Sequence, residues 1–190
     1  MMSANRWSIL NFAGVVLKIS TVQEKFAAMS NMPMLKWLWL SALAIILDQI
    51  TKIAITSTMQ LYESIPLFPL FNLTYVHNTG AAFSFLSEAG GWQRWFFAVL
   101  AIVISVVLTV WLAKLDRHEK LLAIALALIL GGAIGNLIDR LLYGYVIDFL
   151  DVYYQTWHWP AFNIADSAIT LGVMLMLAES FGIGKVAHLE

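Results

Sequence analysis

The chain has 190 residues, 61% of them hydrophobic and 12% charged, where a soluble domain carries about 25% charged residues; a polytopic membrane protein of one bundle is expected, with no Pro/Gly/Ser-rich linker to divide it. Eleven Lys and Arg against twelve Asp and Glu leave a formal net charge of -1, which excludes a global basic surface for nucleic acid. Cysteine is absent, so disulfides, thiol catalysis and thiolate metal sites are excluded and any nucleophile must be an oxygen group or water.

Along the chain, Trp7 to Leu17 is apolar but only 11 residues long and ends at Lys18, which predicts an interfacial segment inside an N-terminal extension over 1–33. Four stretches of about 20 residues can each cross a hydrocarbon core. They run from Leu35 to Thr56, Gln93 to Ala113, Leu121 to Asp139 and Ala161 to Gly182, a four-helix membrane domain over 34–184 with a short tail over 185–190. Trp37, Trp39, Trp92, Trp95, Trp111, Trp157 and Trp159 fall near the proposed ends, as interfacial rings should. Arg6, Lys18, Lys25, Lys36, Lys114, Arg117, Lys120 and Lys185 collect on one side, and only Arg94 and Arg140 flank the other. Both termini are therefore expected in the cytoplasm, with loops 57–92 and 140–160 outside. Within the first loop, Leu70 to Val76 has strand-like composition and His77-Asn78-Thr79-Gly80 has turn chemistry, predicting a small β element on the membrane surface.

This topology gathers polar residues at one membrane level. The end of span one carries Asp48 and Lys52, the end of span three Asn136, Asp139 and Arg140, and the start of span four Asn163 and Asp166. A carboxylate in or beside a bilayer is costly, so function is its default reading. Asn163, Asp166, Ser167 and Thr170 share one helical face by their i, i+3, i+4, i+7 spacing. The plainer alternative makes Asn163 an N-cap and Asp166 a dipole-complementing first-turn acid, which leaves the inward polar stripe unaccounted for. Asp148 stands among Val146, Ile147, Phe149 and Leu150 and pairs with Asp166 as a candidate, with Asp151 as competitor. Asp48 and Lys52 are spaced i, i+4 with the acid first, a structural ion pair, and Asp139 with Arg140 reads the same way. Gly131, Gly132 and Gly135 read as a close helix-packing face.

His77, His118, His158 and His188 are scattered without a His-Glu-x-x-His helix, and no Gly-x-Ser-x-Gly elbow or phosphate-cradling loop occurs. What remains is acid and base work by carboxylates, of which two held close share a proton. No metal and no cofactor is expected.

The segments Asp48-Gln49-Ile50-Thr51-Lys52, Tyr75 to Ser84, Gly131 to Arg140, Val146-Ile147-Asp148-Phe149 and Phe162 to Ser167 together resemble the bacterial lipoprotein signal peptidase (type II signal peptidase) family. The resemblance implies four transmembrane helices with a periplasmic β-cradle in the bacterial inner membrane, and an active site near the outer face. It implies an aspartic endopeptidase with Asp148 and Asp166 as the catalytic pair, cutting the signal peptide from prolipoproteins just before a diacylglyceryl-modified cysteine. Asp48, Asn78, Asn136, Arg140 and Asn163 match residues the family places in or beside the site; Lys52, Gly80 and Asp139 stand in the same motifs and are grouped with them as substrate-binding or supporting. The implied partners are diacylglyceryl-modified prolipoproteins and membrane lipid, with no nucleic acid. A small transporter or proton relay is the competing reading, since acids, amides and an ion pair on facing helices also describe an ion path. Against it, the inner halves of spans one, three and four are apolar.

Overall fold

The computed structural model describes residues 32–80 and 91–182. The segment from Trp7 to Leu17, the remainder of the extension through residue 31, the loop from Ala81 to Gly90 and the tail 185–190 lie outside the described residues.

A 3-10 turn, Pro33–Trp37, leads into α1 (Leu38–Thr58). The hairpin strands β1 (Ser64–Phe68) and β2 (Phe71–Asn78) follow, then α2 (Trp92–Lys114) and α3 (Lys120–Leu142). Beyond them come β3 (Val146–Tyr154), the two-residue β4 (Trp157–His158) and α4 (Ile164–Ser180). Among the described residues, three helical stretches are long and apolar enough to cross a membrane, namely Pro33–Thr58, Trp92–Lys114 and Lys120–Leu142. The fourth, α4, has 17 residues and a rise of about 25 Å, a few ångströms less than a hydrocarbon core of about 30 Å.

α3 is the central helix, and α1, α2 and α4 all pack on it. Small residues make this approach close: a Cβ at Gly132 would run into the Ala165 carbonyl and the Ile169 side chain of α4, and one at Gly135 would lie 2.8 Å from Asp48 Oδ2 of α1. The glycines read from the sequence as a packing face therefore let two polar neighbours, the start of α4 and the Asp48 carboxylate, reach α3. The outward faces of α1 and α2 carry exposed Ile46, Ile50, Ile53, Val99, Val103 and Val107. In a bilayer these sides need no protein partner, because lipid tails are as apolar as they are.

The sheet is antiparallel in the order β1-β2-β3-β4. β2 is the strand that the composition of Leu70 to Val76 predicts, while β3 occupies part of the stretch 140–160 expected as an outer loop. Two apolar clusters bracket the polar level of the bundle. One joins Met34, Leu108, Leu112, Leu115, Leu122, Leu126 and Leu130 at the end away from the sheet, and the other joins Ile55, Met59, Tyr75, Ile147 and Phe149 beneath it. Between them along α1 lie Asp48 and Lys52, both buried.

Candidate active site

The site forms where the sheet meets the ends of α1 and α3 and the start of α4. An extra residue in β2 shifts its pairing with β3 between Leu73 and Val76, so that Val76 faces Asp148 and Asn78 faces Val146. Such a bulge re-aims the side chains beyond it. Asn78 then lies diagonally across from Asp148, within side-chain reach, and its Nδ2 donates to Asp148 Oδ2 at 2.9 Å. The turn after β2 holds that amide in place, since the Gly80 N–H donates to Asn78 Oδ1 at 2.9 Å. Gly80 has φ +100°, a left-handed conformation that glycine adopts without a Cβ penalty.

Asn163 joins the two acids. As N-cap of α4 it accepts the Asp166 N–H on its Oδ1 at 2.9 Å, and its own N–H donates to Asp166 Oδ2 at 3.2 Å, a complete capping box. Its Nδ2 also points to Asp148 Oδ1 at 2.7 Å and to Asn136 Oδ1 at 3.1 Å. The remaining Asp166 oxygen, Oδ1, accepts from Asn136 Nδ2 at 2.8 Å. Asp148 and Asp166 are thus neighbours bound to one residue, although they enter from different elements. α4 starts at Ile164 rather than Ala161 because Phe162 is tied to β3: its carbonyl accepts the Phe149 and Leu150 N–H groups, and its N–H donates to the Leu150 carbonyl. That tie delivers Asn163 to Asp148.

Beneath the pair is a closed ionic network. Lys52 Nζ lies 2.8 Å from Asp48 Oδ2, 2.8 Å from Asp139 Oδ2 and 3.0 Å from Asn136 Oδ1. Its three protons meet three acceptors. Asp48 Oδ1 accepts the Ala165 N–H at 2.9 Å and Asp139 Oδ2 accepts the Ile147 N–H at 3.0 Å. The network thereby fixes both the first turn of α4 and the residue before Asp148. Gln49, which stands in the first motif without a role of its own there, donates to Asp139 Oδ1 at 2.9 Å and lies 3.2 Å from Asp48 Oδ2. Its signal was available, as a third polar side chain between Asp48 and Lys52 in an apolar helix.

The structure corrects one pairing. Asp139 belongs to Lys52, not to its neighbour Arg140, because consecutive helical residues point about 100° apart. Arg140 instead donates from Nη1 to the Asn136 carbonyl at 3.3 Å and lies with its guanidinium carbon 5.3 Å from the Phe97 ring centroid. Asp151 stays out of the site: it accepts from Asn72 Nδ2 at 3.0 Å and Thr74 Oγ1 at 3.2 Å and pairs with His158 Nδ1 at 2.9 Å. The inward polar stripe of α4 also ends early. Ser167 Oγ bonds back to the Asn163 carbonyl at 2.9 Å, and Thr170 is exposed.

Burial, and next the charge of Asp166, push the Asp148 carboxyl up to about 7, against the Asn78 and Asn163 amides and the Lys52 charge that favour its ionised form. A carboxyl at that level is balanced between proton donor and acceptor at neutral pH.

The model of the family described as signal peptidase (SPase) II matches residues 40–182. The lipoprotein signal peptidase of Alteromonas mediterranea is 59% identical over 150 residues, 79% of this chain and 82% of that protein. Those of Shewanella halifaxensis and of Acinetobacter baumannii strain SDF are each 55% identical, over 80% and 78% of this chain and 89% and 85% of their own. Two solved bacterial membrane enzymes, both determined by the in meso method, share the fold. One has TM-score 0.71 and 32% identity, covering 82% of this chain and 93% of that one; the other has TM-score 0.68 and 34% identity, covering 76% and 92%.

Proposed function

The chain belongs to the signal peptidase II family, and on that premise we propose that Asp148 and Asp166 are the catalytic pair with which it removes signal peptides from prolipoproteins, cutting before a diacylglyceryl-modified cysteine. The observation that carries this reading is the meeting of the two carboxyl groups on one asparagine, Asn163, at the polar level of an otherwise apolar bundle.

In the proposed reaction a water lies between the pair and the scissile carbonyl. Its oxygen attacks the carbonyl carbon while one water proton passes to Asp166, and Asp148 gives its proton to the carbonyl oxygen. When the resulting diol collapses, the C–N bond breaks, Asp166 gives its proton to the leaving amine of the cysteine, and Asp148 takes one back from a diol hydroxyl as the new carbonyl forms. Asp148 suits the acid role because it is the more buried of the two and stays partly protonated at neutral pH. Asn136 and Asn163 donate to the two oxygens of Asp166 and so fix its orientation toward the water it takes a proton from. Lys52 sets the Asn136 amide and Gly80 sets that of Asn78, which itself donates to Asp148, while Asp48 and Asp139 hold Lys52 and the Ala165 and Ile147 N–H groups; these act as support, and Arg140 lies beside the pair.

We take α4 as a fourth, short span, both termini as cytoplasmic, and the sheet as a cradle on the outer side of the inner membrane. The unit from 34 to 184 is the peptidase, with 1–33 an extension and 185–190 a tail. Exposed Leu67, Phe68, Trp157 and Trp159 on the sheet and its loops suit an interface with lipid. A lipid-anchored substrate would arrive at the depth of the pair already confined, so anchoring contributes orientation more than affinity.

The test is cleavage of a diacylglyceryl-modified prolipoprotein peptide and its unlipidated counterpart by the purified protein and by Asp148→Asn and Asp166→Asn. Each variant should lose at least about a thousandfold in kcat, with the unlipidated peptide cut very poorly by the wild type. Substantial turnover by either variant removes that residue from the mechanism, and equal rates on the two peptides remove the substrate assignment.

A further inference from the structure

We propose that Phe97 is a positioning residue of the reaction: its ring keeps the Arg140 guanidinium beside the carboxylates without pairing to them, and it seats the Asn78–Gly80 turn that aims an amide at Asp148. The proposal rests on the reading of Asp148 and Asp166 as the catalytic pair.

Phe97 sits in the first turns of α2, between Phe96 and Ala98, in a run that reads as plain membrane helix. Its neighbours Trp95 and Phe96 are exposed, but Phe97 is half-buried and touches two parts of the site. A Cβ built on Gly80 would fall 2.5 Å from Phe97 Cε2 and 2.6 Å from Cδ2, so the ring lies directly against the backbone of that turn. The turn holds Asn78, and Asn78 donates to Asp148. The second contact is Arg140, whose guanidinium carbon lies 5.3 Å from the ring centroid, within the range of a cation–π contact.

The electrostatics around Arg140 give that contact its purpose. Asp166 on α4, Asp148 on β3 and Asp139 on α3 all act on its charge, while on α1 the Asp48 and Lys52 charges are engaged with each other. Among the described residues, however, Arg140 forms no ion pair with any carboxylate. A guanidinium so placed favours a two-pronged bond to a carboxylate. If it closed on Asp148 or Asp166 it would occupy the oxygens that must take and give protons. A cation–π contact satisfies the charge without using an N–H donor and keeps the plane of the guanidinium off the pair.

The test uses the full chain in detergent with the lipidated peptide, comparing Phe97→Leu, which removes the ring, with Phe97→Tyr, which keeps it, and with Arg140→Lys alone and combined with Phe97→Leu. Phe97→Leu should lower kcat about tenfold with KM changed by less than about twofold, and Phe97→Tyr should recover most of that loss. With Arg140 free to close on Asp148, the pH–rate profile of Phe97→Leu should move to lower pH by about one unit. The position of that profile does not depend on how much of the variant is folded. The loss caused by Phe97→Leu should shrink when Arg140 is already Lys, because the residue acts through the guanidinium. An unshifted profile, or the same loss in both backgrounds, overturns the inference and reduces Phe97 to packing. Asp148→Asn and Asp166→Asn run alongside separate the two readings: if both are inactive and Phe97→Leu behaves as wild type, only the positioning role fails.

Discussion

Replacing Lys52 by Met should be among the most destabilising single changes in the bundle, and the structure says why. Met keeps an unbranched stem of similar length but removes a charge that three acceptors surround at 2.8, 2.8 and 3.0 Å. Asp48 and Asp139 are each 0% exposed, so both carboxylates would be left facing one another with only neutral donors, the Ala165 and Ile147 N–H groups and the Gln49 amide. Removing one partner of a buried pair costs about 3–5 kcal/mol; here one cation serves two anions, which places the expected loss toward the upper end of that range. Asp48→Asn is a milder change, because Lys52 keeps Asp139 and Asn136 and the new amide oxygen can still accept from Ala165; it should cost about 1–3 kcal/mol. Unfolding followed by the fluorescence of the eight tryptophans during detergent titration measures both. Adding Asp48→Asn to Lys52→Met should restore part of the stability by removing one of the two uncompensated charges. If Lys52→Met proves no less stable than Asp48→Asn, or if the double variant is worse than Lys52→Met by the full cost of Asp48→Asn, the cation does not hold the network together.

Asp148 adds a pH dependence of opposite sign to that of an ordinary acid. Its carboxyl is raised from 3.8 to about 7 in the folded protein, so its contribution favours folding below the unfolded value and is lost as pH rises through about 7, worth on the order of 4 kcal/mol at most. Asp148→Asn should therefore gain stability over the wild type above pH 7 and little near pH 4; a gain equal at both would speak against a buried proton at this position. Asp151 is held below the usual carboxylate range: burial pushes it up, but hydrogen bonds from Asn72, His158 and Thr74 outweigh that. Its stabilisation is present above about pH 4 and lost on acidification, so Asp151→Asn should loosen the sheet at neutral pH, less so in acid, and cut kcat by no more than about threefold because it touches neither Asp148 nor Asp166. A loss comparable to that of Asp148→Asn would make Asp151 part of the site. Single cysteines in this cysteine-free chain test the orientation: Arg117→Cys should react only with reagents that reach the cytoplasmic side, and labelling from outside would invert the topology.

The membrane helices were legible because length and hydropathy are local properties, and the polar level was legible because intramembrane acids and amides stand out against an apolar background. What connects them was not. Asp139 and Arg140 are adjacent in sequence, but helix geometry sends one inward to Lys52 and the other toward Phe97. β3 was hidden because its burial runs nearly continuously from Val146 to Phe149 instead of alternating, so period two gave no signal. The β-branched and aromatic residues of Val146 to Tyr154, set after the turn at Gly144, were the available clue. Phe97 gave none, since a phenylalanine in an apolar helix is marked as part of a site only by what lies against its ring.

The helix cap read from the sequence at Asn163 is present, and it is compatible with the acid role proposed for Asp166. A capping box leaves the cap residue with a free amide nitrogen, because its Oδ1 and its backbone N–H are both used in the box. That nitrogen is what reaches Asp148. The box also fixes Asp166 by its own backbone, so the acid is positioned before any substrate binds and loses no rotamer freedom at the moment of reaction. Lys52, bonded to Asn136 Oδ1, orients the second amide so that its nitrogen faces Asp166. The cap that starts the short helix and the buried cation below it therefore act on the same carboxylate, the cap on Asp166 Oδ2 and the cation, through Asn136, on Oδ1. A change that weakens the cap should move the pair out of register before it unfolds the bundle, because helix packing and the apolar clusters on both sides are untouched, whereas loss of the cation does both.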